Sequence, residues 1–75
     1  MTSELDLHGV KHHDVYIKVE NFVLLNKTPM NIITGRSDKM KDLVVNVLSK
    51  YSFQYYIRSH NAGMITVIKG ESHAD

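Results

Sequence analysis

The chain contains no cysteine, which excludes disulfides and every thiolate zinc site. Its stability therefore has to come from packing, alone or with self-association. It has no excess of one charge: 9 Lys and Arg stand against 8 Asp and Glu, for a net charge of +1. A strongly basic domain would itself suggest a polyanionic partner; here any grip on nucleic acid has to be local. No run approaches the roughly 18 apolar residues of a membrane span. The opening Met1-Thr2-Ser3-Glu4-Leu5-Asp6 has neither the basic nor the apolar region of a targeting segment. The expectation is a cytoplasmic protein with no membrane partner. Repeats, linkers and low-complexity tracts are also missing.

What is present is ordinary for a folded domain: 75 residues, 43% hydrophobic and 23% charged, too apolar for a disordered chain. One domain over 1–75 is expected, with a core of about 4–70 and a polar tail, 71–75, that frays. Leu5-Asp6-Leu7-His8 alternates and ends at Gly9, as a short strand does. From His13 to Asn26, Val15, Val19, Phe22 and Val23 recur at helical spacing, and Asp14 in the first turn suits the helix dipole. The only proline, Pro29, ends this helix, because the residue before a proline avoids α geometry. Met30 to Thr34 is short, apolar and closed by Gly35, the pattern of a buried strand. Met40, Leu43, Val44, Val47, Leu48 and Tyr51 then mark the clearest amphipathic helix, with Ser37 or Asp38 as its N-cap. Phe53–Arg58 and Met64–Lys69 form a hairpin around the polar turn Ser59–Gly63.

The order β-α-β-α-β-β predicts an α/β (α+β) sandwich: a four-stranded mixed sheet with two helices. Right-handed crossovers make the first three strands parallel if they share a sheet. Their carboxyl ends then meet at one edge, where open α/β sheets bind ligands. That edge carries Asp6-His8-Gly9, Thr34-Gly35-Arg36-Ser37 and Arg58-Ser59-His60.

Three groups at this edge have useful chemistry. Gly35 permits a tight turn into a helix whose first N–H groups welcome an anion. Arg36 adds a planar fork of donors suited to phosphate; the same pattern also serves as an ordinary strand-to-helix turn. Asp6 and His8, two apart on a strand, share a face, so Asp6 is positioned to orient His8, a general base near neutrality. Asp-x-His is also common at solvated strand ends. His8, His12 and His13 are not spaced as a metal site, and none is expected. Tyr51, Tyr55 and Tyr56 are candidates to stack on bases, with packing roles expected for at least two of them.

The motifs Leu5-Asp6-Leu7-His8-Gly9 and Ile32-Ile33-Thr34-Gly35-Arg36-Ser37 resemble the two signatures of the small MutS-related (Smr) domain. The second signature is usually His-Gly-x-Gly, with Thr-Gly-Arg-Gly a frequent variant. Helix Met40–Tyr51 and the Gly63-centred turn into Met64–Lys69 are similar to the rest of that domain, so the likeness covers about residues 4 to 70. It implies the fold just described, related to a ribosome-binding initiation factor domain, and an endonuclease acting on RNA or nicking DNA. Carried over residue by residue, Asp6 and His8 match the first motif and Gly35 and Arg36 the second. The catalytic residues expected are Asp6, His8 and Arg36; the turns and sheet edge add Thr34, Gly35, Ser37, Lys39, Arg58 and His60 as the residues expected to bind nucleic acid. Thr34 stands where the family's usual histidine would be and Ser37 where its last glycine would be, leaving His60 as the nearest substitute acid.

The expected activity is cleavage of nucleic acid, RNA before DNA. Asp6 is the one obvious carboxylate, with Asp38 a second, and a two-metal phosphodiesterase usually needs more anionic ligands. No cofactor is therefore expected; a divalent metal is compatible with the mechanism but not required by it. RNA brings its own nucleophile, the 2′-hydroxyl. The alternatives are a non-catalytic nucleic-acid or ribosome binding module, and a protein-interaction domain that relies on a delivering partner.

Overall fold

The computed structural model describes residues 2–58 and 63–70. The tail at 71–75 and most of the Ser59–Gly63 turn, with His60, lie outside them. The elements are β1 (Ser3–Asp6), α1 (His12–Leu25), β2 (Met30–Ile33), α2 (Asp38–Lys50), β3 (Gln54–Ile57) and β4 (Met64–Lys69). They form an α+β fold with one four-stranded mixed sheet in the order β1-β2-β4-β3.

Strand β1 pairs parallel with β2, and β4 runs antiparallel to both β2 and β3. Strands β1, β2 and β3 therefore point the same way and share a carboxyl edge, although β4 separates β2 from β3. Burial explains this insertion. Ile65 and Val67 of β4 are fully buried, whereas Gln54, Tyr56 and Ile57 of β3 are exposed. The more apolar strand takes the middle, and the hairpin's other arm takes the edge.

Both helices pack on one side of the sheet and against each other. From α1 come Val15, Val19 and Val23, spaced four apart so that they fall along one stripe. Met40, Val44, Val47 and Leu48 of α2 join them. The sheet contributes Met30, Ile32, Ile65 and Val67, with Leu7 and Phe53 closing the ends. Residues between these, such as Asn31 and Ile33, are only half-buried. Strand β2 is thus covered on one face, not enclosed on both as its unbroken apolar run suggests.

Helix α1 ends at Leu25, where the Asn26 side-chain amide donates to the Phe22 carbonyl at 2.8 Å and its oxygen accepts from the Ser3 hydroxyl at 3.1 Å. The Thr28–Pro29 bond that follows is cis. Ser37 is the N-cap of α2, its hydroxyl oxygen accepting the Met40 N–H at 3.1 Å. Two side-chain bonds tie the helices: the Tyr51 hydroxyl donates to Glu20, and the Lys50 ammonium donates to the Tyr16 hydroxyl. No helix among the described residues is long and apolar enough to cross a membrane.

Candidate functional site

The first turn begins where β1 stops, at Asp6, two residues earlier than the alternation suggests. Leu7 adds one more bond to β2, its N–H reaching the Ile33 carbonyl at 2.9 Å, and remains fully buried. The chain then reverses: the Val10 N–H donates to the Leu7 carbonyl at 3.0 Å, with Gly9 at φ 81°. A positive φ at the third residue of such a turn is readily met by glycine. His8 therefore sits in a turn rather than on the strand. The Asp6 carboxylate accepts the backbone N–H of His8 at 2.9 Å. The expected Asp6-to-imidazole contact is replaced by this local turn, in which an aspartate side chain caps the amide two residues on. Asp6 and His8 are both exposed.

The second turn follows β2. Gly35 has φ 70°. The N–H groups of Thr34 and Gly35 both donate to the Gly63 carbonyl, at 2.7 and 3.1 Å. The Thr34 hydroxyl lies 3.0 Å from the Gly35 carbonyl and 3.3 Å from that of Gly63. Thr34 is only 6% exposed. Its side chain is thus engaged inside the fold, its hydroxyl held by the protein's own carbonyls. Gly63 is drawn so close that a Cβ there would stand 3.2 Å from the Gly35 Cα. The start of β4 clamps the turn from beneath, and Arg36, Ser37, Asp38 and Lys39 emerge from it exposed. The Asp38 and Lys39 amides open the first helical turn, where backbone N–H groups have no intrahelical partner.

The pairing Asp6↔Ile33 sets these two turns on adjacent parallel strands. Arg58, just beyond β3, reaches the same edge: its backbone N–H faces the Met64 carbonyl at 3.4 Å. Its Nε donates to the Thr66 hydroxyl at 3.3 Å, which in turn donates to the Asn31 side-chain oxygen at 2.8 Å. The edge thus gathers Asp6, His8, Gly35, Arg36, Ser37, Lys39 and Arg58. His60 cannot be added, since it falls outside the described residues.

Two contributions escape a reading of the motifs. One is the Gly63 carbonyl, flagged in the sequence only by a glycine at the foot of a strand. The other is the Asn31–Thr66–Arg58 chain, built from residues on three different strands or strand ends. Among the described residues no group of three or more His, Asp or Glu side chains is arranged to hold a metal ion. No protein-family model matches the chain, and comparisons with curated proteins and with solved structures return no significant match.

Proposed function

We propose that this chain is a small RNA endonuclease of the Smr type, working at the carboxyl edge of β1 and β2. The observation that supports it best is the register Asp6↔Ile33, which sets an exposed histidine turn beside an exposed arginine turn at a helix start. In this mechanism the His8 imidazole removes the proton of a 2′-hydroxyl. The 2′-oxygen attacks the adjacent phosphorus, the bond to the 5′-oxygen breaks, and that oxygen takes a proton from solvent. Arg36 and the first amides of α2 face the charge that builds on the phosphoryl oxygens. Asp6 acts by holding the turn through the His8 amide. The products are a 2′,3′-cyclic phosphate and a 5′-hydroxyl.

The test is incubation of end-labelled single-stranded RNA and DNA with the protein, with and without EDTA. RNA is cut and DNA is not, and one 2′-deoxy substitution at the cleaved position abolishes cutting. His8→Ala lowers the rate by roughly 10²–10⁴, the range for loss of a general base. Cleavage of the deoxy substrate would replace the 2′-hydroxyl with an activated water.

The buried Thr34 hydroxyl favours a second reading, a nucleic-acid or ribosome binding module without catalysis. The position that would hold a histidine in the usual second motif offers no proton to a ligand here. Arg36 separates the two readings, because its guanidinium stays charged and moves no proton. In a nuclease Arg36→Ala lowers kcat by about 10²–10³. In a binder it weakens affinity alone.

A further inference from the structure

Because both helices pack on one side, the opposite face of the sheet is left open among the described residues. Two rows of side chains cross it. Glu4, Asn31, Thr66 and Tyr56 are directly paired across β1, β2, β4 and β3. Asp6, Ile33 and Met64 form the next row, which Arg58 extends through its bond to the Met64 carbonyl. Side chains of directly paired residues share a face, so Asp6, which holds the His8 turn, lies where this surface meets the edge.

The three tyrosines of the C-terminal part, Tyr51, Tyr55 and Tyr56, divide clearly. Tyr51 is half-buried and bonds to Glu20, and Tyr55 packs on the core. Tyr56 is 46% exposed and is paired with Thr66, on the face opposite Tyr55. Beside it, Thr66 is 5% exposed and holds the Arg58 guanidinium by Nε. An exposed ring and a guanidinium held by Thr66 thus lie two residues apart on one face at the end of β3, on a surface floored by Ile33 and Met64. Arg58, with Arg36 exposed at the edge beyond β2, forms its basic margin; Glu4 and Asp6 make the β1 margin acidic.

We propose that this open face binds unpaired bases of single-stranded RNA, with Tyr56 as the stacking platform and Arg58 as its neighbour. The inference rests on the nucleic-acid reading above and names the form of substrate. Three strand spacings, roughly 14 Å, separate β1 from β3. A short single strand spans that distance, with phosphates along the basic margin, one base over Tyr56 and its sugar–phosphate chain leading to the His8 turn. Duplex RNA keeps its bases stacked internally and has no free ring face to offer. A protein partner would want a continuous apolar patch. Here the polar Asn31 and Thr66 and the charged Glu4, Asp6 and Arg58 interrupt the apolar side chains Ile33, Met64 and Ile68 on the same face.

The experiment is fluorescence anisotropy on the whole chain with two labelled probes. One is a ten-residue 2′-O-methyl oligonucleotide of mixed sequence, which has no free 2′-hydroxyl to attack. The other is the same backbone without bases. Tyr56→Ala weakens binding of the base-bearing probe about 5- to 100-fold, the range for losing one base–aromatic stack, and changes the abasic probe less than about twofold. Tyr56→Phe keeps the affinity, and Arg36→Ala weakens both probes alike. The proposal is overturned if Tyr56→Ala weakens neither probe or both equally, or if the base-bearing probe does not bind. Neither probe is cut, so the result is independent of catalysis; binding with this pattern but no cleavage of RNA would sink the nuclease reading alone.

Discussion

Replacing Gly63 by alanine sets a methyl carbon 3.2 Å from the Gly35 Cα and 3.3 Å from its carbonyl carbon and oxygen. All three are backbone atoms that no rotamer change can move aside. The Gly63→Ala protein should lose about 1–3 kcal/mol of stability, as overpacked sites do, measured by urea denaturation. Arg36→Ala is the opposite case. The residue is exposed, so its loss should change stability by no more than about 0.5 kcal/mol and leave Tm where it is. A Tm lower by many degrees would make Arg36 a structural residue and remove half of the candidate site. The two turns are legible in sequence, because Gly9 and Gly35 each close a short strand and both take a positive φ. The task of Thr34 is not legible, since its partner Gly63 is 29 residues away and only the folded sheet joins them. Nor does Asp-x-His spacing reveal that the carboxylate takes the His8 amide. Strand alternation and a turn give the same two residues different geometry, and Gly9 decides for the turn.

Helix α2 depends on the Ser37 cap. Ser37→Ala should cost about 1 kcal/mol by loss of the bond to the Met40 amide, and Ser37→Asp should restore it; thermal denaturation of the three proteins measures both. The tie between the helices makes a second prediction, in alkaline solution. Hydrogen bonding to Glu20 pushes the Tyr51 phenol above its ordinary pKa, and the bond to Tyr16 raises that of Lys50. Both groups hold their protons more tightly in the folded chain than in the unfolded one. Their contribution is therefore complete below about pH 10 and fades as pH rises through the folded values. Urea midpoints measured from pH 8 to 11 should fall at the alkaline end, and less steeply for Tyr51→Phe. The amphipathic spacing of Met40 to Tyr51 makes α2 plain in the sequence, and Ser37 is one of its two named caps. The tie itself is not plain, because Tyr16, Glu20, Lys50 and Tyr51 meet only once α1 and α2 lie side by side.

For the molecule as a whole, a near-neutral net charge limits what salt can do. Three cations at the edge, Arg36, Lys39 and Arg58, each neutralising one phosphate of a single strand, give log K against log salt a slope of about −2. Binding of the 2′-O-methyl probe should weaken roughly 20-fold between 0.05 and 0.2 M salt; a flat titration would point to a protein partner instead. Strand directions follow from two crossovers and a hairpin and are legible at this scale. The position of β4 is not, since either arm of the hairpin can pair with β2, and side-chain burial across the whole sheet decides. That choice has a consequence for how the protein comes into being. Met64–Lys69, the strand that fills the gap between β2 and β3, is translated after all the others. On the emerging chain β1 and β2 can pair early, but β3 has no partner, and β2 keeps one side open until β4 slides between them. Folding of this domain waits for its last strand, and a nascent chain stalled before Met64 carries exposed Met30, Ile32 and Val44 surfaces as a ready target for chaperones and proteases.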